Sequence, residues 1–313
     1  MNDYGCIAIL GPTCCWKSEA ALRVAELLGG EIVSCDSMQI YRGLPIGTAQ
    51  PSEADLARIP HHLIAELDID EPYDANRFVI RAKEVLADIW GRGKVGVMVG
   101  GTGLYARSLI YGFQLLPADP VVFRGLEEEL SRDGGRELLL ARLASSCGGI
   151  ESIPEDVVRN PRRLLRACEV LSLTGRPPWE LRKRLSSPDR RFRQYCLIPD
   201  LGMLKERIRF RTRKMLESGW LEEARAADGR GLLSTPTARQ ALGYSDVISY
   251  LRSGAEDLSG LAVSLSNKTI QYARRQITWF KHQHPGSVQI ALSEESGAVD
   301  VIMSRIRSDL GIV

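Results

Sequence analysis

Three short strand-like stretches, each leading into small or polar residues, constrain this chain more than any other feature. They are "CIAIL" (Cys6 to Leu10) before "GPT", "EIVSCD" ending on Asp36, and "VGVMV" running into "GGTG". Apolar runs this short, closed by glycine or a polar residue, read as strands buried on both faces, as in a parallel sheet. Helical segments separate them. "SEAALRVAELLGG" predicts a helix from Ser18 to Leu28, stopped by Gly29-Gly30. "DANRFVIRAKEVLADIWGRG" places Phe78, Ala82, Val85, Leu86 and Ile89 on one helical face, with a stop at Gly91. Strands alternating with helices predict a parallel α/β sheet. Such sheets bind ligands beyond the carboxyl ends of their strands, where Gly11–Ser18, Asp36 and Gly100–Gly103 all fall.

Beyond Pro117 the character changes. As far as Arg193 the pattern is helical and increasingly basic, with Pro154, Pro161 and Pro177-Pro178 as punctuation. "CLIPD" (Cys196 to Asp200) is read as a return to the sheet, followed by the helical "LGMLKERIRFRTRKMLESGW". The expected organisation is therefore an α/β core over 1–116, an all-helical insertion over 117–195, and a mostly helical second part of the core over 196–313. Charge is segregated as well. From Arg159 to Arg193 eleven basic residues face three acids, a balance of +8; the whole chain carries +2, so the remainder carries −6. Segregated positive charge points to a polyanionic partner.

No apolar run approaches the ~20 residues of a membrane span, and the N-terminus lacks a charged lead and a long apolar stretch. No membrane partner and a cytoplasmic location are expected. Seven cysteines, none in a C-x-x-C pair and none near the four histidines in sequence, argue against a disulfide framework or a structural zinc site. They read as small buried residues in a reducing compartment.

"GPTCCWKS" follows the first strand and matches the phosphate-loop pattern G-x-x-x-x-G-K-[ST] through Gly11, Lys17 and Ser18, but Trp16 replaces the second glycine. Such loops wrap an anion with backbone N–H groups at a helix N-terminus, the lysine reaching terminal phosphates and the Ser/Thr hydroxyl meeting Mg²⁺. A tryptophan is sterically penalised at positive φ, and its indole could fill phosphate space. The loop alone leaves two readings open: a working phosphate site, or one that has lost its ligand. Asp36, flanked by Ser34 and Ser37, could hold Mg²⁺, act as a general base, or simply cap. "GGTG" could cradle phosphate or form a tight turn, with Thr102 placed to orient a ligand. His61-His62 read as loop residues packed for structure. Arg162, Arg163 and Arg166 in "NPRRLLRACEV", and Arg207, Arg209, Arg211 and Arg213 spread round "KERIRFRTRK", suit either phosphate contacts or a solvated face. Arg239 in "TARQALGYSD" and Arg274 and Arg275 in "QYARRQITWF" suit nucleobase stacking, a diphosphate clamp, or helix packing.

Taken in order and spacing, "GPT…KSE", "EIVSCDSMQIYRGLPIGTAQP", "PHHLI", "VGGTGLY", "NPRRLLRACEV", "RQALGY" and "RRQITWF" resemble the tRNA dimethylallyltransferases, or tRNA isopentenyltransferases, over nearly the whole chain. "DSMQIYRGLPIGTA" and "VGGTGLY" are the most specific segments. The bacterial type is expected, because no zinc finger follows "RRQITWF". The resemblance implies a P-loop NTPase-like α/β core with a helical, tRNA-binding insertion. It also implies transfer of a dimethylallyl group from dimethylallyl diphosphate to N6 of the adenosine 3′ to the anticodon, with Mg²⁺. A monomer is expected. The adenosine would be flipped out of the anticodon loop into a channel, at a cost of a few kcal/mol.

Residue by residue, the resemblance makes Asp36 the general base and places Thr102 beside the reacting amine. Gly11, Pro12, Thr13, Cys14, Cys15, Trp16, Lys17, Ser18 and Arg239 fall at diphosphate-binding positions, with Ser18 toward the metal. Asp36, Ser37, Met38 and Gln39; Asn160, Pro161, Arg162, Arg163 and Leu164; and Arg239, Gln240, Ala241, Leu242, Gly243 and Tyr244 match stretches that contact tRNA. Arg124 is carried as the neighbour of a family arginine position that Phe123 fills. Family members have small residues and glycine where this chain has Cys14, Cys15 and Trp16. Two other readings therefore stand beside the main one: a non-catalytic tRNA-binding relative with a disabled loop, and a phosphate-loop kinase or prenyltransferase acting on a small acceptor.

Overall fold

A computed structural model of the chain describes residues 4–112, 116–181 and 187–312. Internal contacts divide the chain into two units, Met1–Gly112 with Ser187–Val313, and Phe113–Ser186.

The first unit opens with β1 (Cys6–Leu10), α1 (Lys17–Leu28), β2 (Glu31–Ser34), α2 (Glu53–Arg58), β3 (His61–His62), α3 (Ala75–Gly91), β4 (Gly96–Gly100) and α4 (Gly103–Tyr111). The second unit carries α5 (Pro120–Leu130), α6 (Gly135–Cys147), α7 (Glu155–Arg159), α8 (Pro161–Thr174) and α9 (Pro178–Leu181). The first unit then resumes with β5 (Phe192–Pro199), α10 (Leu201–Glu217), α11 (Trp220–Gly229), α12 (Tyr244–Ser253), α13 (Leu258–Gln283), β6 (Val288–Leu292) and α14 (Ala298–Leu310).

The strands form one parallel sheet in the order β3-β2-β4-β1-β5-β6. Every residue of β1 is buried, as its unbroken apolar run requires. Ile7, Ile9, Val97, Tyr195 and Leu197 pack there with Ala21, Val24, Leu204, Ile208, Ala273 and Ile302 from α1, α10, α13 and α14. Helix α1 ends at Gly29, whose left-handed φ of 59° lets its N–H return to Ala25 and Glu26.

Three elements depart from the sequence reading. The chain returns to the sheet at Phe192, ahead of the apolar "CLIPD", and Cys6↔Phe192 begins the β1–β5 pairing. Polar Arg193 and Gln194 hide that start from an apolar-run criterion, although Gln194 is buried. His61 and His62 form an edge strand rather than a loop, paired with Ile32 and Val33. "SVQIAL" supplies β6 because Ile290 and Leu292 turn inward while the alternate residues stay outside.

In the second unit Leu126, Leu139, Leu140, Leu143, Val157, Leu164, Leu165 and Cys168 form a separate apolar core. Helix α8 starts where "NPRR" dictates: the Asn160 side chain accepts from the N–H groups of Arg162 and Arg163, and Pro161 takes the first helical position.

Candidate functional site

Strand order turns at β1. The chain crosses from β1 to β2 and β4 on one side, then to β5 and β6 on the other, so the carboxyl end of β1 is the topological switch point. Beside it lie the ends of β4 and, next along, β2. The loop Gly11–Trp16 leaves β1, Gly101-Thr102 leaves β4 and Cys35-Asp36 leaves β2, so three sequence-distant segments share one edge of the sheet.

At two positions the loop adopts the left-handed backbone that glycine favours, with other residues there. Trp16 sits at φ 60° and ψ 7° as the N-cap of α1, and Cys14 has φ 64°. Left-handed backbone at non-glycine residues costs on the order of 1–3 kcal/mol each and persists where surroundings enforce it. Helix α10 supplies such surroundings. The Arg207 guanidinium lies 4.1 Å from the centre of the Trp16 ring, and its Nε donates to the Cys14 carbonyl at 3.1 Å. One turn further on, Arg211 donates to Thr13 Oγ1 at 2.5 Å. A cation–π contact of ~0.5–2 kcal/mol with a charge-assisted hydrogen bond of ~1.5–3 kcal/mol is of the same order as the strain.

A buried glutamine closes the other side. Gln276 of α13 accepts from the Thr13 N–H at 3.0 Å and donates to the Gly101 carbonyl at 2.9 Å. Lys17 Nζ reaches back to the Pro12 carbonyl at 2.9 Å, and exposed Ser18 is the second residue of α1. The Cys15 thiol is pushed up by burial.

Asp36 is half-buried, and its Oδ1 accepts from the N–H groups of Met38 (2.9 Å) and Gln39 (3.3 Å). That turn leaves Oδ2 unengaged among the described residues. Thr102 Oγ1 accepts from the Ser37 N–H at 3.1 Å, and the Thr102 N–H donates to the Cys35 carbonyl at 3.2 Å. The ends of β2 and β4 are thus laced together around Asp36. "GGTG" is explained by close approach: a Cβ on Gly100 would lie 2.0 Å from the Cys35 carbonyl oxygen, and one on Gly103 would lie 2.2 Å from the Trp279 indole.

The chain belongs to the IPP transferase family. That family's sequence pattern matches residues 39–283. The chain is 41% identical over 288 residues to a tRNA dimethylallyltransferase of Thermus thermophilus, covering 90% of each. It is 38% identical over 279 residues to one of Kocuria rhizophila, covering 88% of this chain and 85% of that one. It is also similar to the crystal structure of a tRNA isopentenylpyrophosphate transferase from Bacillus halodurans, with a TM-score of 0.68 and 30% identity, over 98% of this chain and 96% of that one.

Within this family member the other expected site residues divide by exposure. Arg239 is exposed on the short turn Ala238–Gln240, its N–H held by Thr235 Oγ1 at 2.9 Å; no hydrogen bond or ion pair joins its side chain to the loop or to Asp36 among the described residues. Gln240 and Leu242 are exposed, whereas Ala241 and Tyr244 are buried. The Tyr244 hydroxyl donates to Glu223, whose carboxylate also accepts from the Ile46 (2.7 Å) and Gly47 (2.8 Å) N–H groups. Gln39 spends its amide on the Thr48 and Ala49 carbonyls at 3.3 and 2.7 Å.

In the helical unit Arg124, Asn160, Pro161, Arg162 and Arg163 are exposed, but the Leu164 side chain lies in the core. The basic stretch is less free than its composition implied. Arg159 pairs with Glu155 and Arg163 with Asp156, acids just upstream of the counted window. Arg166 ties the Leu116 and Pro117 carbonyls to α8 and pairs with buried Glu169. Arg176 pairs with Glu180, and Arg191 with Asp189 while stacking on Trp90. Arg182, Lys183 and Arg184 lie outside the described residues. Arg162 has no ion pair among the described residues.

Among the described residues no three His, Cys, Asp or Glu side chains gather as a metal cluster. Just past the loop, the exposed Ser18 hydroxyl is a hard oxygen that fits Mg²⁺ carried in by a phosphate group rather than one held in a protein cage. All seven cysteines are free. Gln276, Arg207 and Arg211 were not singled out from the sequence as loop residues; the signals present were the i, i+4 spacing of the arginines and the glutamine inside "RRQITWF".

Proposed function

We propose that this protein transfers a dimethylallyl group from dimethylallyl diphosphate to N6 of the adenosine 3′-adjacent to the anticodon of tRNA. One observation carries the reading: an anion loop, a carboxylate and a threonine from three separate segments meet at the switch point and are laced together there. Membership of the IPP transferase family supplies the substrate class.

The chemistry follows from the residues. An exocyclic adenine amine is a weak nucleophile because its lone pair is delocalised into the ring. The donor must therefore be drawn toward a cationic allyl carbon as its C1–O bond breaks. Lys17 and the N-terminus of α1 stabilise the departing diphosphate where its charge grows. N6 attacks C1, and as the C–N bond forms the nitrogen becomes acidic. An ordinary carboxylate cannot deprotonate the neutral amine, but Asp36 Oδ2 can take that proton once the bond is forming. Thr102 fixes the Asp36 turn through Ser37. Mg²⁺, with Ser18 as its protein ligand, would neutralise the diphosphate. Arg239 would close over the donor, and Arg124, Arg162 and Arg163 would hold the anticodon arm by its phosphates.

No helix of the described residues is long and apolar enough to cross a membrane. The enzyme would act on tRNA as a monomer in the cytoplasm. The test is one reaction with purified protein, dimethylallyl diphosphate, Mg²⁺ and unmodified tRNA bearing adenosine 3′ to the anticodon. Mass spectrometry of the digested tRNA is expected to show N6-dimethylallyladenosine. Its absence under conditions where the protein binds tRNA would overturn the reading.

A further inference from the structure

We propose that Arg207 is the positioning residue of the donor loop, and that a tryptophan is tolerated at the loop's left-handed position because Arg207 holds its indole. The inference deepens the proposed donor site and rests on it. Two non-glycine residues of the loop, Cys14 and Trp16, adopt positive φ, and Arg207 touches both. Its Nε fixes the Cys14 carbonyl, while its plane covers the indole at 4.1 Å. Glu295, before α14, pairs with the far side of the guanidinium and fixes the angle of that plane. Arg211 restrains Thr13 from the same helix.

The stack decides where the indole goes. Trp16 packs against the apolar core cluster beside α1, with Arg207 over its ring. Held there, the ring stays off the N–H groups of Trp16, Lys17 and Ser18, which a diphosphate needs. Released, the ring is free to swing over them, and the backbone loses the contact that offsets its strain. Arg207 thus acts through Trp16 and Cys14 rather than on the reacting atoms.

A double-mutant cycle read by titration calorimetry with inorganic diphosphate and Mg²⁺ tests this, with donor KM and tRNA KM measured in parallel. Arg207→Ala is expected to weaken diphosphate binding about tenfold and to raise donor KM alone. Trp16→Gly keeps the backbone N–H groups and adopts left-handed backbone freely, so its own diphosphate affinity is the reference for the second arm of the cycle. In the Trp16→Gly background, Arg207→Ala should cost no more than about threefold, because only the Cys14 carbonyl and no indole remains to be held. A charge effect on diphosphate would instead persist in both backgrounds, and equal losses would overturn the proposal. Arg207→Lys keeps the charge but not the planar stack, so it should bind nearly as poorly as Arg207→Ala; it decides the matter if the alanine variant does not fold. Full affinity in Arg207→Lys would overturn the inference alone. No diphosphate binding by the unaltered chain would overturn the donor-loop reading, and this inference with it.

Discussion

Asp36 is held by one oxygen and left open at the other, so its chemistry can be removed without its turn. Asp36→Asn keeps an Oδ1 for the Met38 and Gln39 N–H groups but cannot accept a proton. Single-turnover prenylation should slow by about 10²–10⁴-fold, with diphosphate and tRNA affinities unchanged. In the helical unit, Arg162 and Arg163 are neighbours with different prospects. Arg163 already has Asp156, whereas Arg162 has no ion pair among the described residues. Arg162→Ala should therefore weaken tRNA binding regardless of sequence and reduce the slope of log affinity against log salt by about 1. Arg163→Ala should reduce it less; equal changes measured across a salt series would contradict the assignment. At this scale the sequence marks Lys17, Ser18, Asp36 and Thr102 as candidates by residue type, and the structure brings their segments to one edge of the sheet. The sequence was not legible for Arg207, because whether a helical arginine meets solvent, nucleic acid or a loop depends on how its helix packs.

The elements divide in the same way. Strands β1 and β4 were readable because burial on both faces writes itself as an apolar run, and β2 because Ile32 and Val33 sit between a helix stop and the polar turn at Asp36. Strand β5 starts where Arg193 and Gln194 break that run, and β6 shows only two inward residues. What no local pattern revealed is that α13 reaches the loop through Gln276, a non-local contact between opposite ends of the sequence. Gln276→Leu removes a donor and an acceptor at once and leaves the Thr13 N–H and Gly101 carbonyl without them. The expected results are a stability loss of about 1–3 kcal/mol by denaturant titration and a raised donor KM with tRNA KM unchanged. A variant with unaltered donor KM would show that α13 only packs.

Across the whole molecule, acid should be the more damaging direction. Glu31 is buried at the start of β2 and accepts from Arg92, Lys94 (2.8 Å) and His62 (2.9 Å), which hold its carboxyl well below the usual range. A carboxyl lowered in the folded state contributes stability above its unfolded pKa and loses it as pH falls. His284 acts in the same sense: burial lowers it to about 4, so between pH ~6.5 and ~4 the unfolded chain binds a proton that the folded one does not. Its share is on the order of 3 kcal/mol, gone by pH 4. The midpoint of thermal unfolding should fall steeply from pH 6.5 to 4.5, and His284→Phe should flatten that fall; an unchanged slope would remove His284 from the account.

The glutamine bridge also sets an order of assembly. The anion loop leaves the ribosome 263 residues ahead of Gln276, and at ordinary rates of synthesis roughly 10–50 s separate them. Until α13 has emerged, Thr13 and Gly101 have no amide between them. A nascent or prematurely terminated chain can thus carry every residue proposed to touch the donor and still lack the brace that keeps the loop in shape. Competence for the reaction arrives with α13, not with the loop itself.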